Sequence, residues 1–355
     1  MRESGSTCCP PSFHVPNTHI RLIDLLAIGR VANLPTVWSN VITGYLLAWC
    51  SLGFGSSLPA SGETLPQEGR ALLTLLTGST CAYLFGTFLN DWKDVAFDRK
   101  YRPERAIPSG RWSAGTILTL ALLFATVSFT CFLSLGPAPL FAGGALLLCV
   151  VIYTVIHKST PVAIIPMGLC RALLYVLAFL AVSGPESTPR SWPAPEFLGS
   201  SLSINPSFIV AFMALGILTY VAGLTLAARF ENQPERLRFP KAFLWLLIFF
   251  CFITHTWWWI GLEPVLPGPR HILIFALILV PFLLWTIRAL FLLRKSIPDF
   301  VSRALAGLCL VDLLACGGIA MTVATNLIDC SVYLALIPIS CFFLGLLLQR
   351  LAPAT

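Results

Sequence analysis

The chain has 355 residues, of which 57% are hydrophobic and only 11% are charged. Soluble domains carry about 25% charged residues, so this sequence has too little polar surface to coat a globule in water. The composition excludes an ordinary soluble domain and favours an integral membrane domain, for which the bilayer is the solvent. The net charge of +7 is not arranged as a continuous basic face, so we expect no nucleic-acid partner.

The first residues predict a cytosolic tail that leads into a surface helix. Their longest apolar run, residues 22–28, is shorter than the apolar core of a secretory signal. We therefore assign residues 1–34 to this tail and helix, and residues 35–355 to one transmembrane helical domain.

Ten apolar segments follow in chain order, and each approaches the roughly 20 residues that a helix needs to cross hydrocarbon. The sequence thus predicts an all-α, multi-pass bundle. The predicted spans cover residues 35–53, 71–89, 113–135, 138–156, 161–183, 206–228, 242–262, 271–293, 304–325 and 331–350.

The basic residues predict the orientation of these spans. Eighteen of the 23 Lys and Arg residues lie in the N-terminal tail, the even-numbered connections and the C-terminus, whereas three lie in the odd-numbered connections. Because basic loops stay in the cytosol, the N-terminus and the even-numbered connections are predicted to be cytosolic.

The first even-numbered connection begins with a group of oxygen-bearing side chains. Asn90, Asp94 and Asp98 are spaced four residues apart, and Asp91 lies beside them. A continuing helix would place all four on one side, where three carboxylates repel one another unless a cation lies among them. Mg²⁺ suits such a site because it takes oxygen ligands and is usually shared with substrate phosphates.

The residues that follow supply positive charge in a tight loop. Arg99, Lys100, Arg102 and Arg105 precede the turn at 108–110. Arginine can bind phosphate oxygens through two parallel hydrogen bonds. Together with the carboxylates, this loop predicts a site for a magnesium–diphosphate group.

These motifs resemble the first aspartate motif of the UbiA superfamily of intramembrane prenyltransferases. The resemblance rests on Asn90-Asp91-x-x-Asp94-x-x-x-Asp98 and on Arg102-Pro103-x-Arg105-x-x-Pro108-Ser109-Gly110. Elsewhere, Arg30-x-x-x-x-Pro35 with Asn40 resembles the family's first helix, and Tyr153-x-x-x-His157-Lys158 resembles its tyrosine and basic pair. The resemblance implies a bundle of usually nine helices with a cytosolic-side cavity. It also implies Mg²⁺-dependent transfer from a prenyl diphosphate to an acceptor that is often aromatic.

The sequence departs from the family's pattern at its second aspartate motif. Residues 220–232, where that motif is expected, contain no aspartate. Arg229 stands there as a cation, and we expect it to replace part of the missing metal site; a positive-inside anchor at a helix end is the alternative. Glu231 would orient the Arg229 guanidinium, and Tyr220 would support the cavity.

Ionisable residues within the predicted spans are further candidates. Arg171 is expected to face the cavity, because a charge in the middle of a span is costly unless it faces protein or water. The alternative is that Arg171 pairs with a carboxylate inside the bundle. Asp312 is likewise an ionisable residue within a predicted span and is expected to face the cavity or a partner in the bundle. His255 and Trp257 to Trp259 are interpreted as an interfacial aromatic belt.

The sequence therefore predicts a prenyltransferase in a bundle of nine or ten spans, with Mg²⁺ as cofactor. Its partners would be a prenyl diphosphate, a small-molecule acceptor and the lipid bilayer. The alternative is a non-catalytic carrier of lipids or metabolites, and a third hypothesis is an intramembrane phosphatase. We assign Asn90, Asp91, Asp94 and Asp98 to the metal, and Arg30, Arg102, Arg105, Lys158 and Arg229 to the diphosphate. Supporting roles fall to Asn40, Tyr153, Arg171, Tyr220 and Glu231.

Overall fold

A computed structural model describes residues 18–51, 65–183, 192–193, 203–229, 241–257, 269–292, 296–323 and 328–351. The described residues form thirteen α-helices and one short β-ribbon. The helices are α1 (Thr18–Ile28), α2 (Leu34–Ser51), α3 (Leu65–Lys93), α4 (Val95–Tyr101), α5 (Ala114–Ser134), α6 (Pro137–Ile156), α7 (Ile164–Val182), α8 (Pro206–Ala228), α9 (Lys241–Thr256), α10 (Pro269–Leu292), α11 (Ile297–Ala306), α12 (Leu308–Val323) and α13 (Ile328–Leu351). Single 3-10 turns at Val31–Asn33 and Pro161–Ala163 precede α2 and α7.

Local sequence signals explain where several helices begin. Ser113 and Asn205 cap α5 and α8 by accepting hydrogen bonds from backbone N–H groups of the first turn. Proline occupies the first turn of α6, α8 and α11, where its missing N–H costs no helical hydrogen bond. These helices therefore start at the proline-marked joints.

Six helical stretches of the described residues are long and apolar enough to cross a bilayer, which confirms a multi-helix membrane protein. They are Gly69–Lys93, Ala114–Ser134, Pro137–Ile156, Pro161–Val182, Pro206–Ala228 and Ile297–Gly317. The other four predicted spans also contain helices, namely α2, α9, α10 and α13, but each includes or borders residues outside the described ranges. The total of nine or ten spans remains a prediction.

The all-α prediction is confirmed, and two local details differ from the predicted spans. The predicted span 304–325 is not one helix: α11 already begins at Ile297, and the helix is interrupted at Gly307 before α12. A Cβ at Gly307 would lie 2.9 Å from the Tyr220 hydroxyl, so the glycine allows the close packing of α8 at this break. The connection after α7 also contains two-residue strands, β1 (Trp192–Pro193) and β2 (Ser203–Ile204), paired antiparallel.

The helices differ in how deeply they are buried, and this identifies the centre of the bundle. We compared the buried share of residues in the most apolar part of each span. This share is 83% for Ile297–Gly317 and 67% for Pro206–Ala228, but only 22% for Ala114–Ser134. The exposed face of α5 carries Leu122, Leu123 and Phe129. Because hydrocarbon tails are as apolar as these side chains, this face suits contact with lipid.

Small residues bring the central helices close together. At Gly44 on α2, a Cβ would lie 2.7 Å from the Tyr175 carbonyl oxygen of α7. At Gly168 on α7, a Cβ would lie 2.7 Å from the Leu218 carbonyl oxygen of α8. Small residues of this kind let helix backbones approach closely in membranes. The α2–α7–α8 packing depends on these glycines.

We predict that Gly44→Val destabilises the protein by about 1–3 kcal/mol, because the backbone of α7 cannot move aside as a flexible side chain can. The measurement is the midpoint of thermal unfolding in detergent. Gly144→Val is the matched control, because a Cβ at Gly144 on α6 meets no atom within 4 Å. Equal midpoints for the two variants would contradict the close approach of α2 and α7.

Candidate functional site

A cavity of about 700 Å³ opens between the ends of α2, α3, α6, α7 and α8. Its mouth carries the charged residues of the first even-numbered connection, and its interior is mostly apolar. Side chains such as Leu146, Val150, Met167, Leu174 and Leu224 form that interior. The cavity thus joins a charged mouth to a hydrophobic chamber.

The acidic segment lies at the end of α3 and on α4. Helical hydrogen bonding continues across the junction, since the Asp94 N–H donates to the Asn90 carbonyl at 2.9 Å and the Asp98 N–H donates to the Asp94 carbonyl at 2.8 Å. Asn90, Asp94 and Asp98 therefore share one face and line the cavity. Asp91 differs from the sequence expectation, because it is not among the lining residues and turns toward Arg30 and Arg105.

Each acidic side chain faces a cation from another segment. Lys158 Nζ lies 2.5 Å from Asp94 Oδ1, and Arg105 Nη1 lies 3.0 Å from Asp98 Oδ2. Asp91 Oδ1 lies 3.5 Å from Arg105 Nη1 and 3.7 Å from Arg30 Nη2. These ion pairs join the acidic segment to Arg105 in the loop after α4, to Lys158 in the α6–α7 connection and to Arg30 before the 3-10 turn that leads into α2.

His157 completes the surroundings of Asp94. Its Nε2 lies 3.5 Å from Asp94 Oδ2, while its Nδ1 donates to the Thr154 carbonyl at 3.0 Å. Burial acts to raise the pKa of Asp94, but the hydrogen bonds and charges of His157 and Lys158 outweigh it and hold that pKa below its usual value. Asp94 is therefore an ionised acceptor at the mouth of the cavity.

The acidic segment has the donor set that Mg²⁺ prefers, although it does not form a closed cage. In the part of the chain that the structure describes, no three His, Cys, Asp or Glu side chains converge on one point. Among the residues that the structure describes, the buried Asn90 Oδ1 finds no hydrogen-bond partner, so it is available as a ligand. Mg²⁺ is usually held by one or two carboxylates, with waters and substrate phosphates completing the shell. The residues present fit a metal bound in that open manner.

Arg30 reaches the site from a strained backbone position. It is the only non-glycine residue with positive φ among the described ranges, at φ 43°. This left-handed conformation is uncommon for residues other than glycine and often marks functional sites. The Arg30 carbonyl accepts a hydrogen bond from the Tyr83 hydroxyl at 3.1 Å, which helps to hold the turn in place.

Arg229 is placed on the cavity wall but is already bound to the backbone. Its Nη1 donates to the His157 carbonyl at 2.8 Å and to the Thr160 carbonyl at 2.6 Å. Arg229 thus fixes the connection that carries His157 and Lys158, a role that the sequence did not predict. Glu231, which was expected to orient Arg229, lies outside the described residues.

Other predicted residues divide between the wall of the cavity and the bundle behind it. Arg102, Tyr153 and Arg171 line the cavity. Asn40 is fully buried behind the wall, and Tyr220 is buried with its hydroxyl donating to the Ala304 carbonyl of α11 at 2.8 Å. Tyr220 therefore ties α8 to α11, and it does not line the cavity.

A buried polar network lies behind the part of the cavity wall that contains Arg171. The Asn40 side-chain amide donates to both carboxylate oxygens of Asp312, each at 3.0 Å, and the Tyr175 hydroxyl donates to the same carboxylate. Arg171 Nη1 donates to Asn40 Oδ1 at 3.1 Å. Arg171 thus faces the cavity and is also linked to a carboxylate of the bundle, through Asn40.

The interpretation of His255 as part of an interfacial aromatic belt was wrong. Its side chain is fully buried, and its ring lies edge-on to Tyr175 with centroids 6.1 Å apart. The tertiary packing of α9 against α8 and α12 places this position inside the bundle. Trp258 and Trp259 of the proposed belt lie outside the described residues.

The sequence reasoning also missed polar residues on the cavity face of α3. Ser79, Tyr83 and Thr87 line the cavity together with Asn90. Their spacing of three to four residues continues the periodicity of the acidic segment toward the N-terminus of the same helix. That periodicity was the signal that could have identified them.

Comparison with known proteins gives one family and several related structures. A model of the UbiA prenyltransferase family matches residues 41–310. A solved structure of digeranylgeranylglyceryl phosphate synthase superimposes with a TM-score of 0.52 at 16% identity, covering 86% of this chain and 99% of the other. A UbiA homologue from Aeropyrum pernix K1 gives a TM-score of 0.43 at 14% identity, covering 87% of this chain and 98% of the other. A UbiA homologue from Archaeoglobus fulgidus bound to GPP and Mg²⁺ gives a TM-score of 0.40 at 13% identity, covering 90% of this chain and 98% of the other. No curated protein matches by sequence.

We predict that Arg229→Lys loosens the connection at residues 157–160 before any substrate is added. A lysine cannot reproduce the guanidinium geometry that holds two carbonyls, and each lost hydrogen bond contributes about 1 kcal/mol. Amide hydrogen exchange at Ser159 and Thr160 should become roughly five- to tenfold faster. Arg102→Lys makes the same chemical change on the same cavity wall and should leave this exchange unchanged. Unaltered exchange in Arg229→Lys would show that the two bonds do not hold the connection.

Proposed function

This chain belongs to the UbiA prenyltransferase family, and from that premise we propose that it transfers a prenyl group from a prenyl diphosphate to a small-molecule acceptor, with Mg²⁺ as cofactor. The observation that carries the proposal is the acidic and basic mouth opening directly into an apolar chamber. The mouth suits a diphosphate, and the chamber suits a hydrocarbon chain. By the charge distribution of the loops, this mouth faces the cytosol.

The cations at the mouth bind and orient the diphosphate. Lys158, Arg105 and Arg30 are now paired with Asp94, Asp98 and Asp91. When a diphosphate enters, these side chains turn from the carboxylates to the phosphate oxygens, and Arg102 on the same wall adds another positive charge. Asn90, Asp94 and Asp98, which share the cavity face, would hold Mg²⁺, and the ion would neutralise charge on the diphosphate and on the carboxylates that the cations leave.

Preorganised cations also favour the departure of the diphosphate. Negative charge builds on the leaving group as the allylic carbon–oxygen bond breaks, and fixed positive groups stabilise that transition state. The hydrogen bonds of Arg229 to His157 and Thr160 hold Lys158 in position for this task. The Nη2 group of Arg229 is not used in those two bonds and can face the diphosphate where the family's second aspartate motif is absent.

The apolar chamber protects the allylic cation from water. Its walls are mostly apolar, and Tyr153 contributes an aromatic ring close to the mouth, 5.4 Å from the ring of His157. An aromatic face attracts a cation electrostatically. The acceptor can therefore attack the allylic carbon before water does.

A carrier that binds the same ligand without reacting is the second candidate. It is supported by residues 220–232, which contain no aspartate for a second metal. A purified protein that binds prenyl diphosphate with Mg²⁺, yet neither transfers the prenyl group nor releases pyrophosphate, would identify the carrier. Release of pyrophosphate without an acceptor would instead identify a hydrolase.

We predict that Asp94→Asn weakens the Mg²⁺-dependent binding of a labelled prenyl diphosphate by about tenfold or more, because the substitution removes a ligand charge from the metal site. Binding is measured by titration in detergent beside a thermal melt. The matched control is Asp299→Asn, which removes an exposed carboxylate in the first turn of α11. Equal affinities for Asp94→Asn and the parent protein would remove Asp94 from the metal site.

A further inference from the structure

A second cavity, of about 320 Å³, lies between α10, α12 and α13 on the outer side of the bundle. We call it the outer groove. Among the described residues it shares no lining side chain with the cavity at the acidic segment. Four of its nine described lining residues lie beyond residue 310, where the match to the family model ends. The outer groove is therefore separate from the site of the proposed transfer.

The outer groove forms because two helices pack on the same neighbour. Both α10 and α13 pack against α12, and they meet where the rings of Trp285 and Phe342 lie edge to face with centroids 4.8 Å apart. Leu310 and Leu313 of α12 line the groove and are almost fully buried, so they form its floor. Eight of the nine described lining residues are apolar. The interior of the groove thus suits a hydrocarbon chain.

The rims of the outer groove face the surroundings of the bundle. Leu284 on α10 and Phe343 on α13 are 64% and 63% exposed. Other large apolar residues on α10 continue this exposed surface, namely Leu277, Val280, Ile287 and Phe291. On a membrane-spanning helix such a surface contacts lipid, because lipid tails are as apolar as these side chains. The groove therefore opens toward the hydrocarbon of the bilayer.

The one charged residue that lines the outer groove in the described ranges, Arg288, stands toward the end of α10. Arg288 lies seven residues after Pro281, another lining residue, so the groove extends about 10 Å along the helix. This length fits within one leaflet, which is half of the roughly 30 Å hydrocarbon core. The connection that follows α10 is predicted to be cytosolic. The groove thus lies in the cytosolic leaflet, with its positive charge on the headgroup side.

A second arginine stands beside the same part of the outer groove. The guanidinium carbon of Arg303 lies 5.8 Å from the centre of the Trp285 ring, and the Trp285 indole N–H donates to the Arg303 carbonyl at 2.8 Å. No carboxylate of the described residues lies within 4 Å of the Arg288 or Arg303 guanidinium. Arg294 and Lys295 follow in the same connection, outside the described ranges. Basic residues at the cytosolic surface attract anionic lipids.

We propose that the outer groove binds an anionic phospholipid of the cytosolic leaflet, with an acyl chain between α10 and α13 and the headgroup phosphate on Arg288 and Arg303. Arginine can hold phosphate oxygens through two parallel hydrogen bonds. The Trp285 indole N–H is already bound to the Arg303 carbonyl, so its ring serves the chain as an apolar wall. A second copy of this chain fits less well, because both copies would span the membrane in one orientation and bring these arginines together at the same depth.

The test is native mass spectrometry of the delipidated full chain in detergent, with dioleoyl phosphatidylglycerol and dioleoyl phosphatidylcholine offered at equal concentrations. The two probes have the same acyl chains and differ in headgroup charge. The parent protein should retain one phosphatidylglycerol about fivefold more than phosphatidylcholine, the factor expected when one arginine faces an anionic headgroup. Arg288→Gln should remove most of this preference. Arg350→Gln, which removes an exposed arginine of α13 that does not line the groove, should keep it.

A second pair of variants tests the place of the acyl chain. Leu284→Trp adds a larger ring at an exposed rim of the outer groove, so it should lower retention of both lipids severalfold while leaving the thermal melt near that of the parent. Leu123→Trp makes the same change on the exposed face of α5 and should retain both lipids like the parent protein.

Several results would overturn the lipid site. Equal retention of the two lipids by the parent protein, or a preference that persists in Arg288→Gln, would remove the arginine from headgroup recognition. Unchanged retention in Leu284→Trp would place the chain elsewhere. Displacement of the lipid by glycerol 3-phosphate would show a site for a free anion, and a lipid-free dimer that dissociates in Leu284→Trp would show an interface between copies. None of these measurements uses a prenyl diphosphate, so their outcome is independent of the proposed transfer.

Discussion

The ion pairs around the acidic segment are the interactions on which the arrangement of the site depends. Three aspartates within about two helical turns would repel one another in a partly buried place. The cations that face them come from three different parts of the chain: Arg30 before α2, Arg105 in the loop after α4, and Lys158 between α6 and α7. Each pair therefore joins distant segments, and together they define the mouth of the cavity.

The buried charges behind the cavity wall are arranged differently from those at the mouth. Asp312 and Arg171 are both buried, yet they do not touch, because Asn40 stands between them and bonds to each. The intervening amide holds Arg171 at the cavity wall. The two polar ends, one at the mouth and one within the bundle, are separated by an apolar wall that suits a hydrocarbon chain.

Arg229 shows how an arginine at a helix end can position a neighbouring connection. The family model covers this region, but the sequence has no aspartate there to hold a second metal. The arginine instead bonds to two backbone carbonyls of the α6–α7 connection, which presents Lys158 to Asp94. The position of the Lys158 charge at the mouth thus depends on the hydrogen bonds that Arg229, at the end of α8, makes to the α6–α7 connection.

The sequence by itself determined the membrane class, the helical segments and the acidic motif, because each depends on local composition or on spacing along a single helix. Asn90, Asp94 and Asp98 share the cavity face that their four-residue spacing predicts. Only the tertiary structure decided what depends on packing between helices. It turned Asp91 toward two arginines, buried His255, interrupted the helix at Gly307 and moved Tyr220 out of the cavity wall. It also joined Asn40, Arg171 and Asp312, which lie up to 272 residues apart in the chain. No periodicity records such contacts, since the partner of a buried polar group is set by how separate helices pack against one another.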